Sequence, residues 1–114
     1  MHELSLAMAL VEQLQEILAQ EKVSKPLAVT VAIGALSGVD HEALSFCYPL
    51  VTAGTSLEGV ALQVEEVRLR VRCQDCGRES QPEEVYLLNC GACASARVEV
   101  VAGREFTLRA LEVA

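Results

Sequence analysis

Two C-x-x-C pairs constrain this chain more than anything else in it. Cys73-Gln-Asp-Cys76-Gly77 and Cys90-Gly-Ala-Cys93 use four of the five cysteines among 114 residues. A C-x-x-C turn aims two thiolates at one point, and a second turn on a neighbouring strand completes a tetrahedron. Zn²⁺ favours that arrangement, with Zn–S distances of about 2.3 Å. Four thiolates leave no open position, which is the pattern of a structural zinc rather than a catalytic one. A pair of disulfides or of redox thiols is the alternative, and the paired spacing favours the metal over both. Gly77 and Gly91 suit the tight, left-handed backbone of such knuckles. A ribbon over residues 67–102 is too short to be held by apolar burial, so the metal is expected to supply much of its stability.

The remaining residues predict an α/β fold. Leu4, Ala7, Val11, Leu14 and Leu18 recur at helical spacing, with Leu6, Leu10 and Ile17 widening the stripe. Pro26 is expected to end that segment. Residues 27–33 alternate large and small and are rich in β-branched residues, which predicts a strand with one well-buried face. Asp40 is placed to cap a second helix through His41, Leu44 and Phe46, and Pro49 is expected to kink it or end its first part. Cys47 falls in the apolar pattern of that helix and reads as a buried core thiol. Val60, Leu62 and Val64 alternate on one face; Val67, Leu69 and Val71 resume in the opposite phase after Glu65 and Glu66. Val98 and Val100 predict a closing strand, and Phe106, Leu108 and Leu111 a last one. The expected architecture is two helices on a small mixed sheet, with a zinc ribbon inserted before the final strand. Residues 1–66 with 103–114 make one domain and 67–102 the other.

Charge narrows the function. Residues 1–66 carry two lysines against nine acidic residues, while residues 67–114 carry seven arginines against seven acidic ones. Neither half presents the basic face that nucleic-acid binding uses. Met1 is followed by His2 and Glu3 rather than a basic and then apolar leader. No apolar run reaches the roughly 18 residues of a membrane span. Four cysteines in metal spacing fit a reducing cytoplasm. Neither histidine has a serine or cysteine partner in sequence context, so no catalytic constellation is expected.

The amino terminus is a second candidate metal site. A free Met1 amine, the His2 backbone nitrogen and the His2 imidazole can chelate one cation. Nitrogen ligands in a plane suit Ni²⁺ or Cu²⁺, and Glu3 can add an oxygen or orient the imidazole. On these residues alone a solvated histidine explains His2 as well. His41, at a helix start, reads as solvent-exposed.

Met1-His2-Glu3-Leu4, the C-x-x-C-G…C-x-x-C pair and Gly103-x-Glu105-Phe106-x-Leu108 together resemble the HypA/HybF hydrogenase nickel-incorporation family, over essentially the whole chain. The resemblance implies a nickel metallochaperone with a structural zinc. It would work with a GTPase partner to deliver Ni²⁺ to the large subunit of [NiFe]-hydrogenase, and in some members with urease maturation proteins. By carry-over, Met1, His2 and Glu3 bind nickel and Cys73, Cys76, Cys90 and Cys93 hold zinc. One departure is plain: some members have a histidine in the zinc region that reaches the nickel, and this chain has only His2 and His41. A zinc-ribbon interaction adaptor without nickel function is the competing reading, and a thiol–disulfide enzyme a weaker one.

Overall fold

The computed structural model describes residues 2–113. The elements in order are α1 (Glu3–Gln20), β1 (Ala28–Gly34), α2 (His41–Thr52), β2 (Ala61–Val67), β3 (Arg70–Cys73), β4 (Glu79–Ser80), β5 (Val98–Ala102) and β6 (Phe106–Glu112). They build two three-stranded sheets, ordered β2-β1-β6 and β4-β3-β5. The α/β class is as expected, with two helices and a ribbon inserted before the last strand. The chain divides into two compact units. One comprises Met1–Ala32, Val39–Glu65 and Thr107–Ala114; the other comprises Ile33–Gly38 and Glu66–Phe106.

The first sheet is mixed. The N–H groups of Leu27 and Gly34 donate to Glu112 and Glu105, each at 2.7 Å, so β1 and β6 run antiparallel. Thr30 meets Gln63 and the Ala35 N–H meets the Val67 carbonyl, so β1 and β2 run parallel, with α2 as the crossover. A central strand is covered along both edges. Both faces of β1 are buried, Ala28 and Ala32 as well as Val29, Val31 and Ile33, where the alternation predicted one buried face.

Helix α1 buries Ala7, Leu10, Val11, Leu14 and Leu18. The stripe is shifted from the expected one. Leu4 is exposed and Glu3 takes the buried place one turn before Ala7. The helix ends before Pro26 acts on it. Lys22 turns left-handed at φ 56°, and its N–H and that of Val23 reach back to Ala19 and Leu18. That pattern closes the last carbonyls without a proline.

Asp40 caps α2 as expected, its Oδ1 accepting from the N–H groups of Glu42 at 2.9 Å and Ala43 at 3.2 Å. Pro49 neither ends nor splits the helix, which runs through it to Thr52. The buried face is Leu44, Tyr48 and Thr52. Phe46 lies on the opposite, solvent side. Cys47 sits at the border, half-buried rather than in the core.

Tyr48 is buried, yet its hydroxyl has no hydrogen-bond partner among the described residues. A buried hydroxyl left without a partner costs about 1–3 kcal/mol of lost hydration. Burial also pushes the phenol above its ordinary pKa. Tyr48→Phe is therefore expected to stabilise the fold by about 1 kcal/mol. That raises the melting temperature by about 4 °C for a chain of this size. Thermal melts read by circular dichroism check it, and a drop on substitution would show that the hydroxyl has a partner in solution.

In the second unit, β3 pairs antiparallel with β4 through Val71 and Ser80, and with β5 through Cys73 and Val98. The phase change at Glu65 and Glu66 does not break the strand. β2 continues to Val67, and the break falls at Arg68 and Leu69. Leu69 and Val71 are buried, whereas Arg70 and Arg72 turn outward to pair with Glu79. That face of β3 carries an ion-paired edge.

Candidate metal centre

Cys73 closes β3 and Cys76 follows it in a tight turn. Cys90 and Cys93 stand on a second turn of the same design. In the first, the Gly77 N–H donates to the Cys73 carbonyl at 2.9 Å; in the second, the Ala94 N–H donates to the Cys90 carbonyl at 2.9 Å. The correspondence corrects one expectation. Gly77 is left-handed at φ 76°, but its counterpart is Ala94 at φ 63°, not Gly91. Gly91 is instead closely packed: a Cβ there would lie 3.2 Å from that of Ser80. The signal was available, since each left-handed residue is the one that follows its C-x-x-C pair.

The turns aim backbone N–H groups at sulfur. Cys73 Sγ accepts from Asp75 at 3.3 Å and Cys76 at 3.4 Å, and Cys90 Sγ accepts from Ala92 at 3.3 Å and Cys93 at 3.4 Å. These donors favour thiolate. The Cys93 and Ala92 N–H groups bring Cys90 down to about 6, and the Cys76 N–H leads in lowering Cys73. The other two thiols go the opposite way. The Ser95 N–H pulls Cys93 down, but hydrogen bonding to the Cys73 sulfur and desolvation outweigh it and push Cys93 up to about 12. The Arg78 N–H lowers Cys76, and desolvation with the Cys90 sulfur raises it overall.

All four sulfurs lie within 4.8 Å of one another. Cys73 and Cys93 approach to 3.5 Å and Cys76 and Cys90 to 3.6 Å. A disulfide would need about 2.05 Å, so these are four separate thiols. A zinc tetrahedron with bonds of about 2.3 Å needs sulfurs about 3.8 Å apart, which the cluster meets. The N–H donors at Cys73 and Cys90 favour sulfur in its anionic form, and four cysteine sulfurs make the soft donor set that Zn²⁺ takes. The donor set and spacing therefore fit Zn²⁺. Cys73 and Cys90 are buried, whereas Cys76 and Cys93 are exposed. Ser80, Asp75, Ser95 and Arg97 brace the site from outside. Their partners lie eleven to twenty-two residues away, too far for sequence spacing to reveal.

At the other candidate site, Met1 lies outside the described residues. His2 is the exposed N-cap of α1, and its side chain makes no capping bond. Glu3 is buried in the first turn, its Oε2 accepting the Asp40 N–H at 3.0 Å. The structure thus sets Asp40 beside Glu3, while the Asp40 side chain caps α2. His41 is exposed at the start of α2.

The fold and the four-sulfur site define an α/β protein with a zinc-ribbon insertion. Residues 1–113 match the family model described as hydrogenase/urease nickel incorporation, metallochaperone, hypA. A hydrogenase maturation factor HypA from Nitrosospira multiformis is 40% identical over 113 residues, covering 99% of this chain and 97% of the relative. Another from Roseiflexus is 41% identical over 112 residues, covering 98% of this chain and 91% of the relative. Among solved structures, the solution structure of the Ni metallochaperone HypA from Helicobacter pylori superposes with a TM-score of 0.70 at 24% identity. It covers 99% of this chain and 97% of the other.

The chain belongs to the HypA family. It is a nickel metallochaperone of hydrogenase maturation, and not an enzyme. Among the described residues, no helix is long and apolar enough to cross a membrane.

Proposed function

We propose that the chain binds Ni²⁺ at its amino terminus through Met1, His2 and Glu3, while the four-cysteine site keeps a resident zinc. The observation that carries this reading is the His2–Glu3 pair at the start of α1: an exposed imidazole that makes no capping bond, next to a buried carboxylate. A helix N-terminus by itself disfavours a cation, because the macrodipole is positive there. Glu3 offsets that charge in the first turn. Its Oε2 accepts the Asp40 N–H, which anchors the carboxylate beside the terminus. Nitrogen ligands from the terminus and one imidazole suit Ni²⁺. With no histidine in residues 67–102, water completes the sphere. A site of few protein ligands at an exposed terminus holds the ion and can also surrender it, which the closed four-sulfur site cannot do.

The first compact unit is the nickel-binding part and the second the structural zinc part. In the cytoplasm the chain works with a GTPase partner to load the large subunit of [NiFe]-hydrogenase, and the family description extends the same role to urease maturation.

A nickel titration of two forms tests this, one with a free Met1 amine and one with a few residues ahead of it. Only the free-amine form is expected to take up about one equivalent of Ni²⁺, with spectra of planar nitrogen ligation. His2→Ala should abolish uptake and leave the melting temperature unchanged, because the side chain is exposed. Equal binding by both forms would move the site away from the terminus. No binding by either would favour a zinc-ribbon interaction adaptor.

A further inference from the structure

Each zinc knuckle is braced internally by its own turn bond and its own N–H···S bonds, and these say nothing about the distance between the knuckles. A separate set of bonds spans them. Asp75 lies between the first two ligands, Cys73 and Cys76. Its Oδ2 accepts the Ser95 hydroxyl and its Oδ1 accepts Arg97 Nη1 at 2.7 Å. Ser95 and Arg97 lie two and four residues after the last ligand, Cys93. Ser95 is bound to both knuckles: its carbonyl accepts the Cys90 N–H at 2.8 Å while its hydroxyl holds Asp75. The hydroxyl oxygen also accepts the Arg97 N–H at 3.1 Å. The Arg97 carbonyl in turn accepts the Gln74 N–H at 2.8 Å. One carboxylate thus closes a ring of bonds from the first knuckle to the segment that leaves the second. The residues it joins lie within four positions of the two exposed ligands, Cys76 and Cys93.

We propose that Asp75 is a positioning residue for the zinc site, holding the two knuckles at ligand spacing through Ser95 and Arg97 and so setting how slowly the metal leaves. Zinc escapes when one knuckle swings away from the other, and every such opening must break the Asp75 ring. An isolated exposed ion pair contributes little. Here two donors converge on one carboxylate and a third bond locks the hydroxyl between them. Outer groups of this kind change metal affinity by about 10- to 100-fold. The exposure of Asp75 and Arg97 places the effect near the lower end.

The inference rests on zinc as the resident ion, so the zinc content of the purified full-length chain is measured first. A wild-type protein without zinc would refute that assignment itself. Release of zinc into an excess of a colorimetric chelator is then followed for wild type, D75N, S95A and E79Q. D75N is expected to release zinc about tenfold faster, with S95A intermediate. E79Q breaks two ion pairs of similar exposure that join β3 only to β4, and it should stay within about twofold of wild type. Because the Asp75–Arg97 contact is exposed, about 1 M NaCl should speed release from wild type and leave D75N unchanged. That salt signature separates a charge clamp from general loosening. Wild-type release by D75N, or acceleration by E79Q equal to that of D75N, overturns the proposal. If D75N fails to load zinc, S95A decides, since it deletes one hydroxyl and adds no charge: release at the wild-type rate overturns the proposal.

Discussion

Cys73→Ala is expected to empty the zinc site and unfold the second unit while α1 and α2 stay folded. Cys73 is both a ligand and a structural corner. Its sulfur takes two N–H donors, its carbonyl closes the first knuckle, and its backbone pairs with Val98 in β5. Zinc binding to a structural site contributes about 10–16 kcal/mol in small domains, and a three-sulfur remnant keeps only part of that. What remains is β3, a two-residue β4, β5 and a few buried side chains such as Leu69 and Val71, too little to fold without a staple. The helices belong to the other unit and rest on Leu14, Leu18, Leu44 and Tyr48, none of which depends on the metal. Helical circular dichroism should therefore survive, zinc content should fall well below one equivalent, and amide protection should vanish from β3 and β5. Intact protection of those strands in the metal-free variant would refute the structural role of the site.

Gly34→Ala is the second large effect, and it needs no metal chemistry. A Cβ on Gly34 would stand 2.2 Å from both the carbonyl carbon and the oxygen of Gly103, and 2.8 Å from the Arg104 nitrogen. Those atoms are backbone and cannot rotate aside. They are also pinned: the Gly34 N–H donates to Glu105 at 2.7 Å and the Leu36 N–H to Gly103 at 2.6 Å. The Gly103 N–H is held in turn by the Glu105 carboxylate at 2.7 Å. Relieving the clash means giving up part of that set, so the cost should reach about 3 kcal/mol or more. In thermal melts this is a fall of about 12 °C. Gly38 makes a useful contrast. It is left-handed at φ 78°, with nothing within 4 Å of a Cβ, so Gly38→Ala should cost only about 1–2 kcal/mol of backbone strain. A Gly34→Ala protein that melts with wild type would show that the two backbones do not meet this closely in solution.

The Gly34–Gly103 crossing also explains the Gly103-x-Glu105 segment that helped carry the family resemblance. Glu105 does not line either candidate metal site. Its carboxylate holds the Gly103 N–H and its carbonyl accepts the Gly34 N–H. A motif read as a family mark is here a piece of backbone engineering, and its charge serves a hydrogen bond rather than an ion.

Much of this protein was written in spacings of three or four residues. The two C-x-x-C pairs identify all four zinc ligands, because the turn that aims two sulfurs at one point is a local structure. The start of α2 is equally local, since Asp40 caps N–H groups two and three residues on. Strand and helix order followed from periods of two and 3.6 residues. The rest required the chain to come back to itself. Only the folded backbone placed Glu3, rather than Leu4, in the buried stripe, because the Asp40 N–H waits for it 37 residues on. Only the packing set Gly91 close against Ser80 and left Tyr48 with a buried hydroxyl. Asp75 reads in sequence as one more exposed acid. It becomes a clamp across the zinc site when Ser95 and Arg97 arrive from 20 and 22 residues away. Spacing determines which atoms can share a turn; which distant atoms share a site is decided by burial and closure of the sheets.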